Sequence, residues 1–548
     1  MFDELAKLFR RSEPASEQRA IRNHQRTGGD PPLTSTAMIA ATEAMAGQDA
    51  IPFGHLPSGQ LVALRSDLER SSGALIGGAT GTGKSSLAGH LINERIGRAI
   101  ARIAHDAPLG MELKLWDPKR ELFDLVARYL AAFFLTSSTR VQEILPKLIK
   151  VDSLSGTGRV TPFAAFRNAH PDRVSDAFVA FSRAEVALRV SGNFTEQTLS
   201  VLRMYFWLLT DLRFPENSRF AMRFFTDAVY RTRIISRARS TELREGITNA
   251  FAIASPASIE AAGRRASAAV FPEIALGSGI PYEDIEKLRI VADAPITLGN
   301  YLSDSIPKDV RMERAAWRLA DALREAGSRA SADPLTLVAD EALTILDACP
   351  SLEESVAEGV RVFRSARSQL ILIAQEFSTT LSARLLSTLT SNCGWMAGFQ
   401  TQADAGMYFP HAPLRPRVSH GEQQRTFARE MANLPQRHYK LRVRGFPLLS
   451  VEAPLLRQPS EIAGVSDEEL RTVFDREIAS YSTVSASDAR RMIDAWEARE
   501  IDGIVPNVSP EAPKRARRPK KAPAAGKATL QSLADVMEHL GSETKDGS

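Results

Sequence analysis

Short apolar runs closed by polar or turn-forming residues alternate along this chain with stretches whose apolar positions recur every three to four residues. That alternation predicts an α/β fold. Ala74–Ile76, Glu112–Asp117, Ala294–Leu298, Pro334–Ala339, Gln369–Ala374 and Ser391–Phe399 read as strands. Helical spacing follows the first of them at Leu87, Leu91 and Ile92, and the second at Leu122, Leu125, Val126 and Tyr129, with Pro118 opening that helix. Ala316, Leu319, Ala320 and Leu323 mark another helix, as do Val356, Val360 and Phe363. Ile51–Leu64 reads as strands and turns leading into the core, a place for adenine contacts, and Tyr439–Val451 as a closing hairpin.

Between Ala165 and Glu286 strand signals are scarce. Phe178, Phe181 and Leu188 share one helical face, and Leu199, Leu202, Phe206 and Leu209 another; Phe220–Ile235 and Glu242–Ile253 continue in the same style. An all-α domain inserted at 165–290 is therefore expected, dividing the core into 51–164 and 291–453. Its aromatic stripe is accounted for by packing. Residues 454–505 hold two short helices, Asp467–Ile478 and Ser485–Arg499, beyond a core that reads as complete at Pro454. A partly flexible extension at 1–50 and a basic flexible tail at 506–548 flank the whole.

The chemistry concentrates where the first strand meets its helix. Gly78-Ala79-Thr80-Gly81-Thr82-Gly83-Lys84-Ser85-Ser86 fits Gly-x-x-x-x-Gly-Lys-Ser between a strand and a helix, the context of a triphosphate-binding loop. The glycines let backbone N–H groups turn inward onto phosphate oxygens, and the helix N-terminus adds a favourable dipole. Lys84 is the expected partner of the β- and γ-phosphates of ATP, and Ser85 of Mg²⁺. A glycine-rich turn without a ligand is the bland alternative, and it leaves the lysine, the serine and both flanking elements unexplained.

A second apolar strand ends in Asp340-Glu341. Paired with the loop, Asp340 is expected to hold Mg²⁺ and Glu341 to take a proton from the attacking water. The next strand ends at Gln375, placed either to sense the γ-phosphate or to cap an edge. Asp117 and Lys119 stand at another strand end, where polar groups gather in open α/β sheets. They face nucleotide or DNA, or Asp117 simply caps the helix that follows. Of Arg361, Arg364 and Arg367, one reaches a neighbouring subunit's nucleotide, or the cluster is a solvated face.

Composition narrows the class. Of 548 residues 44% are apolar and 24% charged, an ordinary globular balance for several domains. Two cysteines, Cys349 and Cys393, exclude a disulfide framework and a zinc site, and fit a reducing cytoplasm. The apolar run Tyr129–Leu135 falls far short of the ~20 residues of a membrane span, and the N-terminus lacks signal-peptide order. The net charge is only +4, yet Lys514, Arg515, Arg517, Arg518, Lys520 and Lys521 cluster in a Pro/Ala-rich tail suited to phosphate backbone or anionic lipid. Phe2, Leu5, Leu8 and Phe9 give residues 2–11 one apolar face, for a partner or membrane surface or for its own domain, and Thr529–Leu540 reads as a small terminal helix.

The strand–loop at Gly73–Ser86, Trp116-Asp117-Pro118-Lys119-Arg120-Glu121-Leu122, the long helical insert, Val338-Ala339-Asp340-Glu341-Ala342 and the stretch Arg364–Gln375 occur in one order. That order resembles the coupling-protein ATPases of type IV secretion and conjugation, the TraG/TraD group, relatives of the FtsK and HerA DNA motors. Thr161-Pro162-Phe163 and Phe206-Trp207 resemble pieces of that group's helical domain. Arg120 stands where the family usually has glycine, and Arg364 falls at its arginine, without the flanking glycines. The resemblance implies a RecA-like P-loop NTPase core with a mainly parallel sheet, ATP and Mg²⁺ as cofactors, and Arg364 as the finger. It also implies a homo-oligomeric, hexameric ring that translocates DNA or a DNA–protein substrate. Relaxase or effector cargo and the secretion channel would be its partners. The membrane anchor usual at the N-terminus is missing, so a cytoplasmic protein is expected, with at most peripheral contact at the inner face of the bacterial membrane. A non-translocating recruiter and a DNA-processing motor outside secretion are the alternative readings.

Overall fold

Mostly apolar segments such as Leu335–Ala339 (LTLVA) and Ser368–Ala374 (SQLILIA) form strands buried on both faces, the habit of parallel sheets covered by helices. The protein is a computed structural model that describes residues 42–503 except 47–48, 71–72, 154–158, 163–194, 269–278, 289, 292–293, 301–318, 320–321, 324, 328–332, 349–351, 364 and 414–417. The expected helices at 2–11, around Phe178–Leu188 and at 529–540, the basic tail, and Arg364 lie outside the described residues.

In chain order the strands are β1 (Ile51–His55), β2 (Leu61–Leu64), β3 (Gly73–Gly77), β4 (Glu112–Asp117), β5 (Ile149–Ser153), β6 (Arg159–Val160), β7 (Ile296–Asn300), β8 (Leu335–Ala339), β9 (Ser368–Ala374), β10 (Trp395–Gly398), β11 (His438–Val443), β12 (Leu449–Glu452) and β13 (Val484–Ser485). Eleven of them make one sheet, ordered β2-β1-β12-β11-β10-β3-β9-β8-β4-β7-β5. From β10 to β5 every pairing is parallel. The β11–β12 hairpin and the β1–β2 hairpin extend that block antiparallel. This is the mainly parallel, RecA-like α/β architecture. The helical insert, leaving the sheet after β5 and returning at β7, costs it no pairing: β7 slots between β4 and β5.

Alternation along each strand sorts its side chains onto two helical layers. Ala74, Ile76, Val338, Ile371 and Ile373 face a core shared with the helices Lys84–Ala104 and Glu121–Thr136. Leu75, Leu337, Leu370 and Leu372 face the helices Ala342–Ala348, Leu352–Val362, Ala383–Asn392 and His420–Ala432 on the other side. Each such fully buried aliphatic contributes ~1.5–3 kcal/mol, which makes the sheet a stiff platform for its loops. At its N-terminal edge Arg95 is buried against Glu69, Thr336 and Gln369, an ion pair and hydrogen bonds that lock the Lys84–Ala104 helix across β8 and β9.

In the insert, side chains of Asn217, Asp227 and Ser240 accept N–H groups of Phe220, Tyr230 and Leu243, and so fix where three helices begin. Tyr205, Phe220, Phe224 and Phe225 fill its core. The segment after Pro454 is more deeply involved than its sequence implies. Leu470, Phe474 and Ile478 enter the main core, with the Phe474 ring edge-on to Phe123 at 6.1 Å. Val484 then pairs with Val160, and Trp496 and Ile501 complete the core of the insert. Local pattern shows the apolar face of such a helix but not the distant surface that covers it.

Candidate nucleotide site

β3 ends at Gly77, and the chain turns through Gly78–Gly83 into the helix that starts at Lys84. Gly78 has φ +143°, and a Cβ there would lie 2.6 Å from Phe399 Cβ, so both strain and collision demand glycine. Neighbouring strand ends hold the loop. Gly78 N–H donates to Gln375 O (3.1 Å), Ala79 N–H to Gln400 O (2.8 Å), and Arg437 N–H to Thr82 O (2.9 Å). The Thr82 hydroxyl donates to Ala79 O at 2.7 Å, while Ala79, Thr80 and Gly81 form an exposed crest. Ser85 and Ser86 are half-buried in the first helical turn. Lys84 folds back under the crest, its Nζ donating to Gly78 O (2.7 Å) and Ala79 O (2.8 Å). Burial lowers the pKa of this ammonium, and the nearby Glu341 and Asp340 oppose that shift.

Those carboxylates come from β8. One strand, β9, separates β3 from β8, and ~4.8 Å per strand spacing puts about 10 Å between them, a span that suits a terminal phosphate and its counter-ion. Asp340 is buried; its N–H donates to Trp116 O (2.9 Å), and its Oδ1 accepts the Glu341 N–H (2.9 Å). Burial, helped by Asp117 and Glu341, pushes the Asp340 carboxyl up to about 7 against the pull of the Glu341 N–H and Lys84. Glu341 occupies a left-handed backbone conformation (φ +49°) that non-glycine residues adopt at a cost. Its Oε1 lies 2.5 Å from Lys119 Nζ.

Asp117 takes the second of the two readings its position allowed. Its Oδ1 accepts the N–H groups of Lys119 (2.8 Å) and Arg120 (2.9 Å), and its Oδ2 those of Leu122 (2.7 Å) and Phe123 (2.9 Å). One buried carboxylate thus caps the Glu121–Thr136 helix and pins the turn that presents Lys119. Burial raises its pKa, and the four donors oppose the rise.

Gln375 stands exposed at the end of β9, where its carbonyl supports Gly78. Arg367 lies at the other end of β9, against Leu335 N–H, on the sheet edge away from Lys84. Sequence reasoning passed over Asp404, whose buried carboxylate accepts the N–H groups of Phe377 (2.9 Å) and Ser378 (2.8 Å) and so fixes the turn just after Gln375. It also passed over Gln436, whose Nε2 donates to Gly81 O at 3.1 Å. Neither lies in a recognisable motif; each is a lone polar residue in a loop.

A magnesium nucleotide fits these donors. Among the described residues no cluster of three or more His, Cys, Asp or Glu could hold a metal alone. Mg²⁺ needs no such cage, since it keeps several waters and takes one or two protein ligands plus phosphate oxygens. A buried carboxyl at the end of one strand and a serine at the helix start after another suit that division.

In fold the chain resembles the conjugative coupling proteins. A structure of the plasmid coupling protein TrwB in complex with ADP and Mg²⁺ is similar over 77% of this chain and 92% of its own, at 15% identity and a TM-score of 0.48. VirB4 of Thermoanaerobacter pseudethanolicus is similar over 76% of this chain and 99% of its own, at 13% identity and a TM-score of 0.48. No protein-family model and no curated protein matches the sequence. Among the described residues no helix is long and apolar enough to cross a membrane.

Proposed function

We propose that this chain is an ATP-hydrolysing motor of the coupling-protein type, moving DNA or a DNA–protein substrate toward a secretion or conjugation channel. One observation carries the reading. Lys84, Asp340 and Glu341, distant in sequence, come within charge–charge reach at the carboxyl ends of β3 and β8, two parallel strands with only β9 between them. The backbone N–H groups of Thr80–Ser86 and the Lys84 ammonium bind the phosphates. Ser85 and Asp340 hold Mg²⁺, which would neutralise charge on the β- and γ-oxygens. Glu341 accepts the proton of the attacking water, and Gln375 orients that water or senses the terminal phosphate. Lys119 steers Glu341 from the neighbouring strand end.

Arg367 lies on the sheet edge away from the loop, so a finger from the arginine stretch before β9 would serve an adjacent subunit in a hexamer. The insert would face cargo such as a relaxase or an effector, and the basic tail would bind DNA without sequence choice.

The deciding experiment is Lys84→Ala with ATP turnover measured with and without duplex DNA. The expected outcome is nucleotide-dependent, DNA-stimulated hydrolysis in the wild type and its loss in the variant. Intact turnover in the variant would remove the site from the reaction. Displacement of a triplex strand by the wild type separates a translocating motor from an ATP-switched recruiter.

A further inference from the structure

The direction in which a nucleotide must lie can be read from the sheet. Asp340 and Glu341 end β8, and Gln375 follows β9, both on one side of β3. If the terminal phosphate points at these groups, the nucleoside must leave the loop on the other side, toward β10, β11 and β12. On that side two described segments touch the loop. Phe399 and Gln400, after β10, pack on Gly78 and accept the Ala79 N–H. Gln436 and Arg437, before β11, form the one of the two with an exposed polar side chain on the loop crest. Gln436 Nε2 donates to Gly81 O (3.1 Å) and Arg437 N–H to Thr82 O (2.9 Å). A Cβ on Gly83 would come 3.4 Å from Arg437 Cα.

The segment is built rather than draped. Arg437 sits at φ +69°, a left-handed conformation that an arginine keeps only when its surroundings impose it. Its guanidinium is tied down, with Nη2 donating to Ala453 O (2.6 Å) and 3.4 Å from Glu452 Oε1. Gln436 is exposed, and His438 is half-buried with Nδ1 3.1 Å from Gln436 O. A planar, anchored cation beside a carboxamide and an imidazole offers a stacking face for a base and hydrogen-bonding groups for ribose hydroxyls.

We infer that Gln436–His438 is the nucleoside-binding wall of the site, taking the ribose and base of a nucleoside triphosphate whose phosphates lie on Gly78–Ser86. The wall rests on the ATPase reading above and adds to it a role for residues outside every motif in the chain. A bracing segment with no ligand contact would make the same two hydrogen bonds to Gly81 and Thr82, so the test must separate nucleoside from phosphate.

Calorimetric titration of the full chain with Mg²⁺-ATP and with Mg²⁺-tripolyphosphate does so, applied to wild type, Gln436→Ala and Arg437→Gly. In the wild type ATP should bind more tightly than tripolyphosphate. Each variant should lose about tenfold or more in ATP affinity while its tripolyphosphate affinity stays within about twofold. Equal losses for both ligands would reduce the segment to a brace, and unchanged ATP binding, or equal binding of both ligands by the wild type, would overturn the wall outright. A wild type that binds neither ligand sinks the ATPase reading itself, and the wall with it. Should Arg437→Gly fail to fold, Gln436→Ala decides alone, because its side chain is exposed.

Discussion

Lys119 Nζ lies 2.5 Å from Glu341 Oε1, joining the ends of two neighbouring parallel strands, β4 and β8. Neither partner is free to wander. The Asp117 carboxylate holds the Lys119 N–H, and Glu341 sits in a backbone conformation that aims it out of the strand line. The contact therefore gives the proposed base a cation that can hold its carboxylate in one place. Glu341→Gln should bind ATP at near wild-type affinity and hydrolyse it at least about 100-fold more slowly. Lys119→Ala should lower turnover less, by up to about tenfold, with nucleotide affinity kept. Because Lys119 is 49% exposed, the pair itself should add less than about 1 kcal/mol to stability. Single-turnover rates beside equilibrium binding check all three statements, and a Lys119→Ala variant that loses ATP affinity instead would make Lys119 a phosphate ligand.

Arg120 carries backbone strain that its side chain only partly offsets. It has φ +75°, directly before the Glu121–Thr136 helix, where a glycine would be unstrained. In return its Nε reaches Asp124 Oδ1 at 2.9 Å. An exposed i,i+4 pair contributes only ~0.3–0.5 kcal/mol, less than the ~1–2 kcal/mol a left-handed arginine costs. Arg120→Gly should therefore be more stable than Arg120→Ala by about 1 kcal/mol, the reverse of their order in a helix interior. Thermal unfolding of the two variants side by side tests the sign; Ala above Gly would mean that the turn relaxes without strain.

The sheet was legible because its central strands are short, predominantly apolar and followed by polar or glycine-rich residues. GALIG, LTLVA and SQLILIA admit few other readings once a glycine-rich loop or an acidic pair closes them. The same logic pointed to Lys84, Asp340 and Glu341, which the fold brings to one end of the sheet. It failed to choose a role for Asp117, because a strand-end carboxylate can point at a ligand or at the backbone ahead, and only the fold shows four N–H groups converging on it. Asp404, Gln436 and Arg437 were silent, since each acts through a loop–loop contact that no local period encodes. Trp496 was silent for another reason: its amphipathic helix is plain, but the Phe214 ring it meets at 5.4 Å lies far back in the insert.

Asp340 gives the site a measurable signature without any nucleotide. Its folded pKa, about 7, lies above the 3.8 of an unhindered aspartate, so the folded chain prefers the protonated form. A raised folded pKa adds stability that is fully present at low pH and is lost as pH climbs through about 7. Asp340→Asn cannot ionise, and its Oδ1 can still accept the Glu341 N–H. The variant should therefore be more stable than wild type at pH 8, by on the order of 2–4 kcal/mol, and nearly equal to it well below the wild-type transition. Saturating Mg²⁺-ATP should reverse the order at pH 8, because a bound divalent cation would favour the wild-type carboxylate more strongly than Lys84 does, and would gain little from the neutral asparagine. Unfolding curves at several pH values, with and without Mg²⁺-ATP, read both effects. A difference between the proteins that does not change with pH would show that Asp340 ionises like any surface carboxylate, and would take from it the character of a poised metal ligand.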